Sequence, residues 1–111
     1  MVLLKRVFYR FKKLFYERGR MIKLRDYGFY KVSGGMCPYE DVVKGVDAFV
    51  IGRVHDSHDK HHSLNGEILC THKIVDMYNK VILTDSGAVY VLENMHPDYK
   101  EFLMINAART L

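Results

Sequence analysis

Residues 80–92 read KVILTDSGAVYVL, and this stretch predicts a β-hairpin. Apolar and β-branched residues stand on both sides of Asp85-Ser86-Gly87, where the glycine can adopt the positive φ that a tight turn needs. The run from Glu67 to Val75 has the same apolar character, so three segments form a predicted antiparallel meander. We place its strands at Glu67–Val75, Lys80–Thr84 and Ala88–Leu92, with a tight turn at residues 76–79.

The segments on either side of the meander complete a predicted α+β fold. Pro97, with acidic residues behind it, starts a helix that runs to about Ala108. The remaining predicted elements are the strands Met21–Val32 and Asp47–Val54, and the short helix Tyr39–Val46. We predict one small domain with a mostly antiparallel sheet, flanked by an N-terminal basic helix and a C-terminal helix. Its predicted core includes Phe49, Ile51, Ile68, Ile74, Val81, Leu83, Val89, Val91, Phe102 and Ile105.

The bulk composition is that of an ordinary globular domain. The chain has 111 residues, 49% hydrophobic and 27% charged, which argues against general disorder. The spacing of Cys37 and Cys70 fits neither a zinc knuckle nor a redox pair, so we expect two free thiols. No apolar run approaches the length of a transmembrane helix, and the N-terminus lacks the order of a signal peptide. We therefore expect a cytoplasmic protein.

The charge is divided unevenly along the chain. Residues 1–31 carry ten Lys/Arg and two acidic residues, a net charge of +8, whereas residues 32–111 carry seven and eleven, a net of −4. Residues 2–18 place apolar side chains at helical spacing, namely Leu4, Val7, Phe8, Phe11, Leu14 and Phe15. We divide the chain into a basic amphipathic helical arm, residues 1–20, and a small α+β body, residues 21–111.

Residues 1–20 have a second interpretation, in which they precede the true start of the protein. Glu17-Arg18-Gly19-Arg20 can be encoded by purine-rich codons that resemble a bacterial ribosome-binding site, and Met21 follows directly. Under this interpretation the protein starts at Met21 and has no basic arm.

The arm interleaves cations with aromatic residues, which is typical of three situations. The candidate binding residues are Lys5, Arg6, Tyr9, Arg10, Lys12, Lys13 and Tyr16. The cations can bind nucleic-acid phosphates while the tyrosines stack on bases. The same helix can lie on an anionic membrane surface, or its apolar stripe can pack on the sheet and leave the cations in water.

The densest polar cluster is a histidine-rich loop, HDSHDKHH, at residues 55–62. The candidate metal ligands are His55, His58, His61 and His62. A helical loop would place three of these on one face in a geometry suited to a divalent metal, whereas an extended loop would scatter them. With Asp56 or Asp59, such a site would resemble that of a metal-dependent hydrolase, and His72 is the best candidate for a distant ligand.

Catalytic signatures are incomplete in this sequence. The His-Asp pairs lack the large helical bundle of the phosphohydrolases that use them. His55-Asp56-Ser57 lacks the second motif that two-histidine phosphoesterases require, and the spacing after Asp59 is too short for an HNH nuclease. No nucleophile, base and orienting residue are recognisable together, so a non-enzymatic function without a cofactor is favoured.

The whole chain resembles the short accessory, host-interaction proteins of large tailed bacteriophages. The resemblance is carried by its size, its Tyr-, Met- and Lys-rich composition without Trp, and the strand–turn–strand run of residues 66–92. It implies a protein that binds and inhibits or redirects a host protein, or sequesters a signalling nucleotide.

We therefore expect a binding module that regulates a macromolecular partner, with a protein favoured over nucleic acid. The alternatives are a nucleic-acid-binding protein that uses the arm, and a metal-dependent hydrolase that uses the histidine loop. The sequence leaves the oligomeric state open.

Overall fold

The computed structural model describes residues 21–55 and 66–110. Its strands are β1 (Met21–Lys31), β2 (Ala48–His55), β3 (Ile68–Cys70), β4 (Ile74–Tyr78), β5 (Val81–Thr84) and β6 (Val89–Leu92). Its helices are α1 (Tyr39–Val43) and α2 (Pro97–Thr110). The strands form one sheet in the order β3-β2-β1-β6-β5-β4. The predicted α+β class is confirmed, and the predicted N-terminal helix lies outside the described residues.

The long strand β1 occupies the middle of the sheet. It pairs antiparallel with β2 along most of its length and parallel with β6 over residues 21–24. Its register shifts between Arg25 and Gly28, and Asp26 has a φ of 51° within this bulge. A bulge bends its strand and increases the twist. The second half of β1 therefore turns away from β6 and leaves room for α2.

The sheet is strongly curved, because its two edge strands are close together in the chain. Only residues 71–73 separate β3 at one edge from β4 at the other. A flat sheet would place these edges roughly 24 Å apart, at about 4.8 Å between strands. The chain from Cys70 to Ile74 spans at most roughly 14 Å, at about 3.5 Å per residue. The sheet must therefore roll, and contacts between β2 and β4 are consistent with this.

The prediction of one strand over Glu67–Val75 is wrong. Thr71 donates its N–H to the carbonyl of Val50 at 2.8 Å, and its Oγ1 accepts the Val50 N–H at 2.9 Å. These bonds hold the buried Thr71 at the end of β3 against β2. The next residues then leave this edge, and β4 begins at the opposite edge of the sheet.

The predicted meander is confirmed, but its first strand is β4. The strands β4, β5 and β6 are consecutive and antiparallel. The predicted turn at residues 76–79 is wrong, because β4 continues to Tyr78 and pairs it with Val81. Asn79 and Lys80 form the turn instead, and Asn79 takes a φ of 54°. Asparagine tolerates this left-handed conformation better than most residues.

The main core lies on the concave face of the rolled sheet. Its fully buried side chains come from strands at both ends of the strand order, including Val50 of β2 and Ile82 of β5. Val42 of α1 and Phe102 and Leu103 of α2 pack into the same cluster. The two helices therefore close this face only in part.

The predicted core was partly correct. Val81, Leu83 and Val89 are buried in a second, smaller cluster. Ile68 and Ile105 are wrong, because 68% and 48% of their surfaces are exposed. The other five predicted residues, Phe49, Ile51, Ile74, Val91 and Phe102, are half-buried. In β2 the alternate residues face the main core, because side chains of a strand point to opposite faces.

Tyr99 of α2 fastens the helix to the bulged strand. Its ring lies on Gly28, where an added Cβ would stand 3.2 Å from ring atoms. Its hydroxyl donates to the carbonyl oxygen of Cys37 at 2.6 Å, and only 1% of the residue is exposed. One side chain thus connects α2, β1 and the loop before α1.

Gly28→Ala is expected to destabilise the protein by about 1–3 kcal/mol, since the new methyl group overpacks the contact with Tyr99. Urea unfolding of the variant measures this cost. The same substitution in a Tyr99→Leu background should cost much less, because the ring is gone. Equal costs in the two backgrounds would contradict this account of the contact.

Candidate functional site

Most of the predicted site residues lie outside the described part of the chain. All seven candidate arm residues belong to residues 1–20, and His58, His61 and His62 belong to residues 56–65. His55 is described, and its Nδ1 lies 2.6 Å from Oε1 of Glu93. Both side chains are partly exposed, so this is a surface pair at the end of β2.

His72, the predicted distant metal ligand, lies away from His55, the one candidate loop histidine that is described, and its role as a ligand stays a prediction. It follows β3 at the end opposite His55, because β3 runs antiparallel to β2. Its Nδ1 lies 3.7 Å from Oδ1 of Asp85. Among residues 21–55 and 66–110, no three His, Cys, Asp or Glu side chains are grouped for a metal ion.

The free thiols expected from the sequence are confirmed for Cys37 and Cys70. Burial raises the pKa of the Cys37 thiol, and the nearby Asp41 carboxylate adds to the rise. Cys70 is exposed on β3. The two thiols differ in accessibility, and neither takes part in the cavities described next.

A groove of about 580 Å³ separates the edge strand β4 from α1. We call it the edge groove. Its lining consists of residues 73–79 on one side, and of Tyr39, Val42, Val43 and residues 45–47 on the other. Lys73 and Asp47 approach across it, with 3.9 Å between Nζ and Oδ1. Among the described residues, β4 has no strand neighbour on its outer side, and the groove lies there.

The edge groove concentrates exposed apolar surface. Nine large apolar side chains of the described residues are conspicuously exposed, and five of them line this groove. The five are Tyr39, Val43, Val46, Val75 and Tyr78. Val43 and Val75 face the groove from opposite sides with 62% and 52% of their surfaces exposed. Single exposed apolar residues are ordinary, but a contiguous group indicates an interaction surface.

The backbone edge of β4 is partly blocked by its own side chain. In a two-residue hairpin the pair next to the turn is hydrogen-bonded and the following pair is not, so the N–H of Met77 points away from β5. This N–H donates to Oδ1 of Asp76 at 2.8 Å. Burial raises the pKa of Asp76, while the Met77 N–H acts in the opposite direction. A charged group at an edge strand opposes pairing with another copy of the chain.

A second cavity, of about 590 Å³, adjoins the edge groove at the end of β4. We call it the aromatic cavity. Its lining consists of Tyr27, Phe29, Tyr39, Asn79, Lys80, Leu92, Met95, Tyr99 and Leu103. Phe29 makes edge-on contacts with the rings of Tyr27 and Tyr99, at centroid distances of 5.7 and 5.9 Å. Tyr39 and Asn79 line both cavities, so the two spaces are neighbours.

The opposite face of β1 and β2 combines arginines with stacked aromatic rings. Arg25 lies opposite Arg53 in the strand register, and Tyr30 lies opposite Phe49. The rings of Tyr30 and Phe49 are stacked with centroids 6.0 Å apart. Arg53 donates to the carbonyl of Gly66. Within the described residues, neither guanidinium forms an ion pair with a carboxylate.

Sequence reasoning missed both cavities. In the sequence, apolar residues such as Val43, Val75 and Tyr78 resemble core residues. Their exposure follows from the curvature of the sheet, which the sequence does not show. The single local signal was the placement of apolar residues next to Gly45 and Asn79, where the chain has to turn. That signal predicts turns and carries no information about exposure.

Raising the pH above 10 is expected to destabilise the protein through its buried tyrosines. Burial raises the pKa of Tyr27, Tyr90 and Tyr99 above the ordinary value of 10.0. The unfolded chain then loses these protons at a pH at which the folded chain keeps them. Their contribution to stability is therefore complete below pH 10 and is lost as the pH rises through the folded-state values.

Urea unfolding between about pH 8 and pH 11 measures this loss. Tyr27→Phe should make the decline shallower, whereas Tyr39→Phe, at a ring that is 42% exposed, should leave it nearly unchanged. An unaltered decline in Tyr27→Phe would contradict the assignment to buried phenols.

Neither helix of the described residues combines the length and apolar character needed to cross a membrane. Comparison of the sequence with protein-family models and with curated proteins gives no match. The candidate binding surfaces of the described residues are therefore the edge groove, the aromatic cavity and the basic face of β1 and β2.

Proposed function

We propose that the protein is a non-enzymatic binding module that regulates or inhibits another protein. An extended segment of that partner lies in the edge groove, beside β4. The observation that carries the proposal is the collection of five exposed apolar side chains along one groove. Burying such side chains stabilises a complex by about 25 cal/mol per Å² of apolar surface, before the cost of ordering the partner is subtracted.

The form of the groove favours an extended segment over a helix or a second sheet. One wall is an edge strand with backbone groups available on its outer side, and an added strand can pair with such an edge. The other wall is α1 with the loop at residues 45–47, which limits the free width beside β4. A partner strand would use backbone pairing for affinity and its alternate side chains for contacts with Val43 and Val75.

A second copy of this chain fits the groove less well. Antiparallel pairing of two β4 strands about their centres would bring the two Asp76 carboxylates together. Like charges that face each other across strands are destabilising. The α1 wall would in addition meet the sheet of the other copy.

The peptide proposal is tested with the full-length chain and a displayed library of short random peptides. Val43→Asp and Val75→Asp should each weaken the selected peptides by about tenfold or more, which corresponds to about 1.4 kcal/mol. Ile68→Asp and Met104→Asp are matched controls, because these side chains are 68% and 73% exposed and lie outside the groove. Isothermal calorimetry gives the affinities, and hydrogen exchange should show new protection in residues 74–78.

Selected peptides that bind equally well to both groove variants would overturn the proposal. The proposal would also be overturned if the chain sediments as a dimer that forms through β4 and no peptide competes with dimer formation.

The nucleic-acid alternative is supported by one specific observation, the Arg25–Arg53 pair. A phosphate between these two guanidinium groups would relieve their repulsion, and the Tyr30–Phe49 stack on the same strands offers a platform for a base. The basic residues of the arm precede β1 directly in the sequence. This alternative therefore uses the arm together with the basic face of β1 and β2.

The salt dependence of binding to single-stranded oligonucleotides tests this alternative. Each phosphate contact adds about 0.7–0.9 to the slope of log affinity against log salt concentration. Replacing Arg25 and Arg53 with Gln should lower the slope by the contribution of about two phosphate contacts. Neutralising Lys5, Arg6, Arg10, Lys12 and Lys13 should lower the slope further. Lys44→Gln with Arg109→Gln is the control. An unchanged slope in both sets of variants would exclude these residues as the phosphate site.

A further inference from the structure

The aromatic cavity carries polar groups whose hydrogen-bonding capacity is unused within the described residues. Tyr27 lines the cavity and is only 6% exposed, yet its hydroxyl forms no hydrogen bond with another described residue. This hydroxyl can therefore donate a hydrogen bond to a ligand group in the cavity.

Lys80 places a cation at the rim of the same cavity. Its Nζ donates to the carbonyl oxygen of Glu93 at 3.2 Å, which holds the ammonium close to the cavity. Lys80 takes part in none of the ion pairs among the described residues. The lining contains no Asp or Glu. The polar groups of the cavity are therefore donors or neutral amides, and the single full charge is positive.

We propose that the aromatic cavity receives an aromatic side chain of the partner segment, with a carboxylate next to it bound by Lys80 and Tyr27. This inference rests on the proposed function, because the segment reaches the cavity from the edge groove. The carboxylate is the C-terminal carboxylate of that aromatic residue, because the segment ends at the cavity.

The shape and lining of the cavity support an aromatic guest. The ring of Tyr39, which is 42% exposed, and the half-buried Met95 and Leu103 offer apolar surface on which a further ring can pack. A cationic guest is disfavoured, because the Lys80 ammonium would repel it.

The position of the two cavities next to each other supports a peptide over a free small molecule. Tyr39 and Asn79 belong to both linings, and β4 ends at Tyr78, next to Asn79. A strand that follows β4 towards Tyr78 therefore ends beside Asn79 and Lys80, which line the aromatic cavity. Its terminal side chain would enter the cavity while its backbone stays in the edge groove.

The test uses the full-length chain and three probes of similar size: 3-phenylpropionate, 3-phenylpropanamide and 3-phenylpropylamine. Amide chemical shifts report where each probe binds. We expect 3-phenylpropionate to shift residues around Lys80, Met95 and Tyr99, and to bind at least about tenfold more tightly than the amide or the amine. Lys80→Met should weaken it by about tenfold, whereas Lys100→Met, on the exposed part of α2, should not.

Tyr27→Phe and Leu103→Trp test the cavity itself, and Val43→Asp separates the cavity from the groove. Tyr27→Phe removes only the hydroxyl and should weaken 3-phenylpropionate several-fold, and Leu103→Trp should abolish binding by filling the cavity. Val43→Asp should leave probe binding unchanged, so a failure of the edge groove and a failure of the aromatic cavity give different results.

Three results would overturn the inference. The first is equal affinity for all three probes, because Lys80 and Tyr27 would then not contribute to binding of the carboxylate. The second is chemical-shift changes confined to another surface. The third is tight binding of 3-phenylpropionate that does not compete with any selected peptide, which would assign the cavity to a free aromatic carboxylate.

Discussion

The contact between Tyr99 and Gly28 is the constraint on which the rest of the structure depends. The bulge in β1 makes room for the ring, and the missing Cβ of Gly28 lets the ring approach the strand. The hydroxyl then holds the carbonyl of Cys37, and with it the loop that leads into α1. Tyr99 therefore links α2 to β1 and to the loop before α1, and it also lines the aromatic cavity.

The curvature of the sheet also determines which of its strands the helices leave exposed. Within residues 21–55 and 66–110, two helices, one of them only five residues long, leave part of the six-stranded sheet uncovered. The uncovered part falls at β4, because residues 71–73 bring this edge near β2 without joining the two strands. The apolar residues that a larger helix would have buried remain exposed there, and they are the residues that support a binding function.

Local patterns predicted the elements, but not how the elements are arranged. The β5–β6 hairpin follows from alternating apolar residues around Gly87, and α2 follows from Pro97 and its acidic neighbours. The division of residues 67–75 between two edges depends on Thr71 and on the rolling of the sheet, which no window of the sequence contains. The sequence does not distinguish Phe49 from Val50 as a core residue for a related reason, since residues 48–51 are apolar on both faces of β2. The two cavities combine residues from α1, β4 and α2, so their existence depends on tertiary contacts alone.

The bond between Asp76 and Met77 makes the exposed edge dependent on a side-chain rotation. A foreign strand can use the Met77 N–H only while the carboxylate is turned away, so the rate of association scales with the fraction of time spent in that open state. Two copies of the chain that meet while the carboxylate holds the Met77 N–H cannot pair at that group, which opposes amyloid-like stacking. One carboxylate thus acts both on the pairing of a ligand strand and on self-association.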